Sequence, residues 1–354
     1  MEECVVKAAV WYGRKDVRVE DVKEPQVAAN QVKVEVAYTG ICGSDLHEYA
    51  EGPVFVPVDE PNEFSGQSAP LTMGHEFSGL IVDKGSDVEG IEIGDRVSIY
   101  PTLAHETEAE DVDIYGGFNF IGLAQDGGMA EYCVVPATHV YKLPDNMTLE
   151  QGALVEPTAV GVQAIKEGSV SFGDKVAIFG AGPIGCLVAA AAKAAGAGQI
   201  IVCDLSPERL EKALEMGATD VINSGKENAV VRIKELTNGG ADVSFEVAGV
   251  EITLKQAIDA TRARGTMVIV SIFANPISWH PMQLINSGVK ITSTIAYTRT
   301  TYQQTIQAIA NGQLVVNPII TDKIKLDDVV ESGFEKLVSD KSQSKILIDI
   351  HPEN

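Results

Sequence analysis

The sequence predicts an α/β protein, with a small, mostly β domain followed by a doubly wound parallel sheet. Three observations predict it. From residue 175 to about 271, short apolar strands alternate with helical stretches, the sign of a parallel sheet. A glycine turn, Gly180-Ala-Gly182-Pro183-Ile184-Gly185, joins the first of those strands to its helix. Before about residue 149 the rhythm differs: short β-branched or alternating runs are split by glycine and proline.

The elements follow in order. Strands are expected over 5–12, 31–38, 77–83 and 129–135 by their alternating apolar patterns, and a partly open barrel would accommodate them. Residues 148–168 read as helical. Then come a strand at 175–179, a helix at 183–195, a strand at 199–203 and a helix at 207–216. Strands at 220–222, 243–246 and 267–271 alternate with helices at 229–236 and 252–261. Beyond residue 290 one more strand, helices near 301–310 and 326–337 and a last strand at 345–350 are expected, a tail suited to return to the first domain.

The chain has 354 residues, 27 basic and 50 acidic, for a net charge of −23. A chain this long buries roughly 75% of its unfolded surface and needs no disulfide staples. The charge excludes a nucleic-acid binder, which needs a basic patch, and argues against anionic membranes as partners. Residues 1–150 hold nine basic and 28 acidic side chains, a net of −19; the remainder is close to neutral at −4. Five cysteines (Cys4, Cys42, Cys133, Cys186, Cys203) without C-x-x-C spacing argue for a reducing compartment. The acidic start lacks a signal-peptide layout, and no stretch is long and apolar enough to span a bilayer, so a soluble cytoplasmic protein is expected.

The glycine turn carries a binding hypothesis. Gly180 allows a tight turn, Gly182 lets the backbone approach a pyrophosphate, and Gly185 lets the helix pack on the strand. Pro183 and Ile184 open that helix, whose N-terminus favours an anion. The next strand ends at Asp204, placed to accept hydrogen bonds from ribose hydroxyls and to repel a 2′-phosphate; NAD is therefore expected over NADP. Arg209, five residues on, is within reach of the ribose and could soften that preference.

The first domain holds two polar clusters: Gly40-Ile-Cys42-Gly-Ser44-Asp45-Leu-His47, and Gly74-His75-Glu76-Phe-Ser-Gly79 followed by Gly85 and Val88. A third candidate is Glu156-Pro157. A thiolate, an imidazole and a carboxylate with one position left open make a catalytic zinc arrangement.

These motifs resemble the zinc-dependent medium-chain alcohol dehydrogenases, and most of all their 2,3-butanediol dehydrogenase branch near sorbitol dehydrogenase. The GHE-F-S-G-x5-G-x-x-V run at 74–88 fits that family's zinc signature, and residues 51–72 resemble an insertion butanediol dehydrogenases carry before it. The resemblance spans essentially the whole chain. It implies an N-terminal chaperonin-10-like β domain completed by the C-terminal tail (1–157 and 295–354) and an NAD-binding Rossmann domain (158–294), with zinc and nicotinamide meeting between them. It implies Cys42, His75 and Glu156 as zinc ligands, Glu76 as a carboxylate able to exchange onto the metal, and Asp45 as the group orienting His75. Ser44 and His47 match the stations of the family's proton relay, and Thr158 is placed to touch the nicotinamide.

The implied activity is interconversion of 2,3-butanediol and acetoin, with diacetyl reduction as a variant and a sorbitol- or xylitol-type polyol dehydrogenase as the alternative. Zinc-free quinone reductases lack these Cys and His ligands, and a non-catalytic relative would be free to lose them. The substrate is expected to be a small neutral diol or hydroxyketone, since the acidic first domain disfavours anions. A homo-oligomer, dimer or tetramer, is implied too. One departure stands out. Where many relatives carry four cysteines for a structural zinc, residues 101–113 hold none, so one zinc per chain is expected. Five carboxylates there, from Glu106 to Asp113, read as a solvated loop or a hard-cation site.

Overall fold

The computed structural model describes residues 4–107 and 111–351, which form two compact units. The first comprises 4–156, 298–310 and 320–351, and the second 157–297 and 311–319. The short stretch 311–319 thus groups with the second unit, a detail that the sequence pattern does not contain.

In the first unit, β1 (Val5–Gly13) pairs antiparallel with β2 (Asp16–Lys23). Then β3 (Gln31–Gly40) runs directly into helix α1 (Gly43–Glu51). Strands β4 (Leu71–Thr72), β5 (Glu76–Lys84) and β6 (Arg96–Ile99) follow, then the hairpin β7 (Thr102–Glu106) and β8 (Val112–Phe120), then β9 (Tyr132–Pro136) and β10 (Val140–Lys142). β3 is the hub because it alternates: Val32, Val34 and Val36 are fully buried against Phe77, Ile81, Val97 and Ile99. Burying each such side chain contributes about 1.5–3 kcal/mol.

Short helix α2 (Leu149–Ala153) is capped by Thr148, whose Oγ1 accepts the Gln151 N–H, and α3 (Val155–Gly168) carries the chain into the second unit. There β11 (Lys175–Phe179), α4 (Pro183–Ala194), β12 (Gln199–Asp204), α5 (Pro207–Glu215), β13 (Asp220–Asn223) and α6 (Ala229–Thr237) alternate. The alternation continues through β14 (Ala241–Glu246), α7 (Glu251–Ala260), β15 (Thr261–Ile269), α8 (Met282–Ser287) and β16 (Lys290–Ser293). All six strands are parallel, in the order β13-β12-β11-β14-β15-β16. That is the doubly wound order, with the switch point between β11 and β14.

The chain returns to the first unit through α9 (Arg299–Ala310), β17 (Ile320–Lys325) and β18 (Lys345–Asp349). β18 pairs antiparallel with β3 and completes the sheet β10-β6-β5-β3-β18-β17, with β9 also on β3.

Several elements differ from their sequence reading. The helix expected over 326–337 is a 3₁₀ turn, Leu326–Asp328, then π-helical turns Val329–Glu335 and one short α turn, Lys336–Ser339. Gly333 packs against Ile41 and Ile324 so closely that a Cβ would lie 2.7 Å from Ile41, so the backbone here follows packing rather than ideal helix geometry. β17 escapes the apolar pattern because its sequence, ITDKIK, is half charged. Of the acidic stretch read as a solvated loop or cation site, Glu106 ends β7 and Asp113 lies near the start of β8, both exposed, and Asp111 is half-buried. Glu108 and Glu110 lie outside the described residues. Among the described residues no helix is long and apolar enough to cross a membrane, and all five cysteines are free thiols.

Candidate active site

Strand register builds the first cluster. Gly40, the last residue of β3, pairs with Glu76, the first of β5. The two strands are antiparallel, so the chain leaving β3 toward Cys42 lies beside the chain entering β5 from His75. Gly40 also pairs with Leu347 of β18, which brings Lys345 alongside the same corner.

The ligand atoms of Cys42, His75 and Glu76 lie within 4.8 Å of one another, the single such group of three or more His, Cys, Asp or Glu among the described residues. His75 and Glu76 are buried, at 2% and 0% exposure, and Cys42 is half-buried. Cys42 is also the N-cap of α1: its carbonyl accepts the first helical N–H, from Leu46, and its own N–H donates to Asp45 Oδ2 at 2.9 Å. One carboxylate thus braces the thiol's backbone while its other oxygen, Oδ1, sits 3.4 Å from His75 Nδ1. Those two atoms are buried and have no hydrogen-bond partner. On the far side of the ring, Nε2 lies 3.1 Å from Ser44 Oγ, and the ring stacks on Phe120 with centroids 5.7 Å apart. Burial pushes the His75 imidazole down, but Asp45 and Cys42 outweigh it and lift it well above its ordinary range.

The donor set of thiol, imidazole and carboxylate, gathered in a buried corner with a carboxylate behind the imidazole, fits zinc. The sequence reading also names Glu156 as a ligand. It is buried at 4% exposure near the start of α3 and near enough to Lys345 and Tyr302 to favour the lysine's charge and oppose tyrosine ionisation, but it lies outside the group of three. His47 is exposed one turn beyond Ser44 on α1.

Sequence reasoning missed Lys345. It is 2% exposed and donates to both Glu76 oxygens at 2.7 Å and to the Ile41 carbonyl at 3.0 Å. Burial works against its charge, but Glu76, then Cys42 and Glu156, hold the ammonium above its ordinary range. The only available signal was one lysine opening an otherwise apolar strand, KILI.

The second cluster is the glycine turn after β11. Gly180 has φ +111°, open to glycine with little strain. At Gly185 a Cβ would meet the Gly180 carbonyl oxygen at 1.9 Å, so α4 starts tight against the turn. At Gly182 a Cβ would meet nothing within 4 Å, so the protein itself supplies no steric reason for glycine there. The open space leaves room for an anionic ligand to approach the amides that begin α4. Gly182 is the N-cap of α4 with no side-chain cap, Pro183 follows, and Pro183 and Ile184 are half-buried. Asp204 ends β12: Oδ2 accepts the Ala181 N–H at 2.7 Å, and Oδ1 accepts from Leu205 and Ser206 at 2.7 and 3.0 Å. The residue expected to meet the ribose therefore also fixes the glycine turn. Arg209, half-buried on α5, donates its N–H to the Ser206 cap, and Thr158 is fully buried on α3.

Comparisons with known proteins find relatives for both parts of the chain. Residues 28–145 match the family description "Alcohol dehydrogenase GroES-like domain", and residues 183–311 match "Zinc-binding dehydrogenase". The chain is 44% identical to (R,R)-butanediol dehydrogenase of Bacillus subtilis (strain 168), across 97% of this chain and 99% of that one. It is 34% identical to sorbitol dehydrogenase of Mus musculus, covering 91% and 90%. The crystal structure of 2R,3R-butanediol dehydrogenase from Bacillus subtilis superposes with a TM-score of 0.93 over 98% of this chain and 99% of that one. The chain is an oxidoreductase and belongs to the zinc-binding alcohol dehydrogenase family.

Proposed function

We propose that this protein is a zinc-dependent, NAD(H)-linked dehydrogenase interconverting 2,3-butanediol and acetoin, with diacetyl reduction as a related activity. The observation that carries it is the convergence of Cys42, His75 and Glu76 in one buried corner, in a chain 44% identical to a butanediol dehydrogenase. Cys42 Sγ and His75 Nε2 would hold the metal together with a carboxylate, Glu156 or Glu76. When bound, zinc supplies Lewis-acid polarisation of an alcohol or ketone oxygen. Asp45 fixes the His75 ring. Ser44 Oγ lies 3.1 Å from His75 Nε2; with that nitrogen given to the metal, the hydroxyl would be free of this contact and would take the substrate hydroxyl proton, and His47, one turn further along α1, would pass it to solvent.

In the second unit, the amides beginning α4 would receive the pyrophosphate of NAD and Asp204 its ribose, with Arg209 at the rim and Thr158 toward the nicotinamide. The acidic first domain favours neutral diols over 2-hydroxy acids, an effect confined to about 10 Å at ordinary salt. The sorbitol dehydrogenases at 32–34% identity support a second reading as a polyol enzyme.

The test follows NADH oxidation with acetoin, diacetyl and fructose, before and after zinc chelation. Turnover of acetoin lost on chelation and restored by zinc is expected. Full activity after complete zinc removal overturns the reading, and a preference for fructose moves it to the polyol branch.

A further inference from the structure

We propose that the buried Glu246 carboxylate raises the affinity of the cofactor site for NAD+ relative to NADH, by placing negative charge under the half of the crevice that receives the nicotinamide. This rests on the proposed NAD(H) site. Three observations carry it. First, Glu246 stands at the switch point of the parallel sheet. It is the last residue of β14, level with Phe179 on β11 and Ile269 on β15. Dinucleotides lie in the crevice outside the carboxyl ends of the strands at such a point, one nucleotide over each half of the sheet. With Asp204 at the end of β12 taking the adenosine ribose, the nicotinamide half falls to the ends of β14 and β15.

Second, the carboxylate is held without a countercharge. Glu246 is 0% exposed. Its Oε1 accepts the Ala248 and Gly249 N–H groups, both at 2.9 Å, and the Thr253 hydroxyl at 2.7 Å. Its Oε2 accepts the Ser271 hydroxyl. All four partners donate, the pattern an ionised acid requires, and none of them is a cation. Third, the carboxylate lies one hydrogen bond from the glycine turn. A Cβ on Gly180 would come within 3.1 Å of the Ala248 nitrogen, whose N–H Glu246 accepts. The backbone around it is tied on both sides: Val247 N–H donates to the Phe179 carbonyl and Val270 N–H to the Glu246 carbonyl, each at 2.9 Å.

The two cofactor forms separate this charge from the scaffold it braces. NAD+ and NADH share their adenine, riboses and pyrophosphate, and differ by one positive charge on the nicotinamide ring. Bracing of the loops after β14 and β15 acts on both forms alike and cancels in the ratio of their dissociation constants. The charge of Glu246 does not cancel. Acting over about 10 Å at an effective dielectric constant of about 20, one such charge changes that ratio by about 10-fold.

The experiment titrates the full-length protein with NADH, read by its fluorescence, and with NAD+, read by displacement of NADH. Glu246→Gln is expected to raise the ratio of the NAD+ Kd to the NADH Kd by about 10-fold. Ser271→Ala removes one brace and keeps the charge, so its ratio stays at the parent value even where both affinities fall. If Glu246→Gln does not fold, Thr253→Lys carries the same test. It sets an ammonium beside Oε1, and the ratio should rise as it does when the charge is removed. An equal loss of both affinities in Glu246→Gln overturns the inference and leaves Glu246 as a brace. So does an unchanged ratio in Thr253→Lys where that variant alone folds, or a ratio in Ser271→Ala shifted as far as in Glu246→Gln. A parent protein that binds neither NAD+ nor NADH overturns the cofactor site itself.

Discussion

The Asp111 carboxylate accepts the backbone N–H of Arg299 at 2.8 Å, across 188 residues of chain. The same carboxylate accepts from Thr300 Oγ1 at 3.1 Å, and the Arg299 guanidinium reaches back to Glu106 at 2.9 Å. The β7–β8 hairpin is thus tied to the first turn of α9 by side chains, in the region where many relatives place four cysteines and a structural zinc. An acidic group at a helix N-terminus is stabilised by the free N–H groups and the helix dipole.

Replacing Asp111 with Ala should therefore lower stability by about 1 kcal/mol, read as a fall in the denaturant midpoint, with bound zinc unchanged. Metal analysis of the parent protein should return one zinc per chain. Two zinc atoms per chain would mean that a second metal site exists.

Asp204 serves both the turn and the proposed cofactor. Asp204→Asn removes the charge proposed to accept from the ribose and to repel a 2′-phosphate. Loss of a charge-assisted hydrogen bond costs about 1.5–3 kcal/mol, so discrimination for NAD over NADP should drop by roughly 10- to 100-fold, mostly through KM. Unchanged KM values for both cofactors would leave Asp204 as a brace for Ala181 alone.

His47 is exposed, so replacing it should not disturb the fold. His47→Gln should slow alcohol oxidation most at low pH, by about 10-fold or more, because water must then take the proton directly. Superimposable pH–rate profiles in both directions would take His47 out of the relay.

His139 sets a pH dependence of stability away from the active site. It is 7% exposed, and its Nδ1 lies 2.7 Å from the Tyr100 carbonyl oxygen, the geometry of a neutral ring donating its N–H. Burial pushes its pKa below the ordinary value, and Arg299 nearby adds to this, against the opposing hydrogen bond to Tyr100. With the folded pKa depressed, the unfolded chain binds the proton more readily. Its neutral state therefore stabilises fully above the ordinary histidine pKa of about 6.5, and that contribution is lost as pH falls toward the folded value. His139→Gln should flatten the loss of stability on acidification from about pH 7 to 5. An unaltered slope would assign the loss to other groups.

Much of this protein was legible in its sequence. The glycine turn, the strands around it and Asp204 are local features, since turn chemistry and strand–helix periodicity act over a few residues. Cys42 and His75 were legible as motif residues too. Their meeting was not derivable from periodicity, because it depends on Gly40 pairing with Glu76 in one register between β3 and β5. A slip of one residue would turn these side chains to the other face. The tertiary structure alone decided the fate of Glu76. Its partner Lys345 stands 269 residues away, and nothing local to either residue announces a buried ion pair. It likewise decided that Asp111 caps a helix rather than facing water, because α9 returns to the first unit only after the whole parallel sheet is built. Local sequence sets which elements form and which chemistries are on offer. Long-range register sets which charges are buried together.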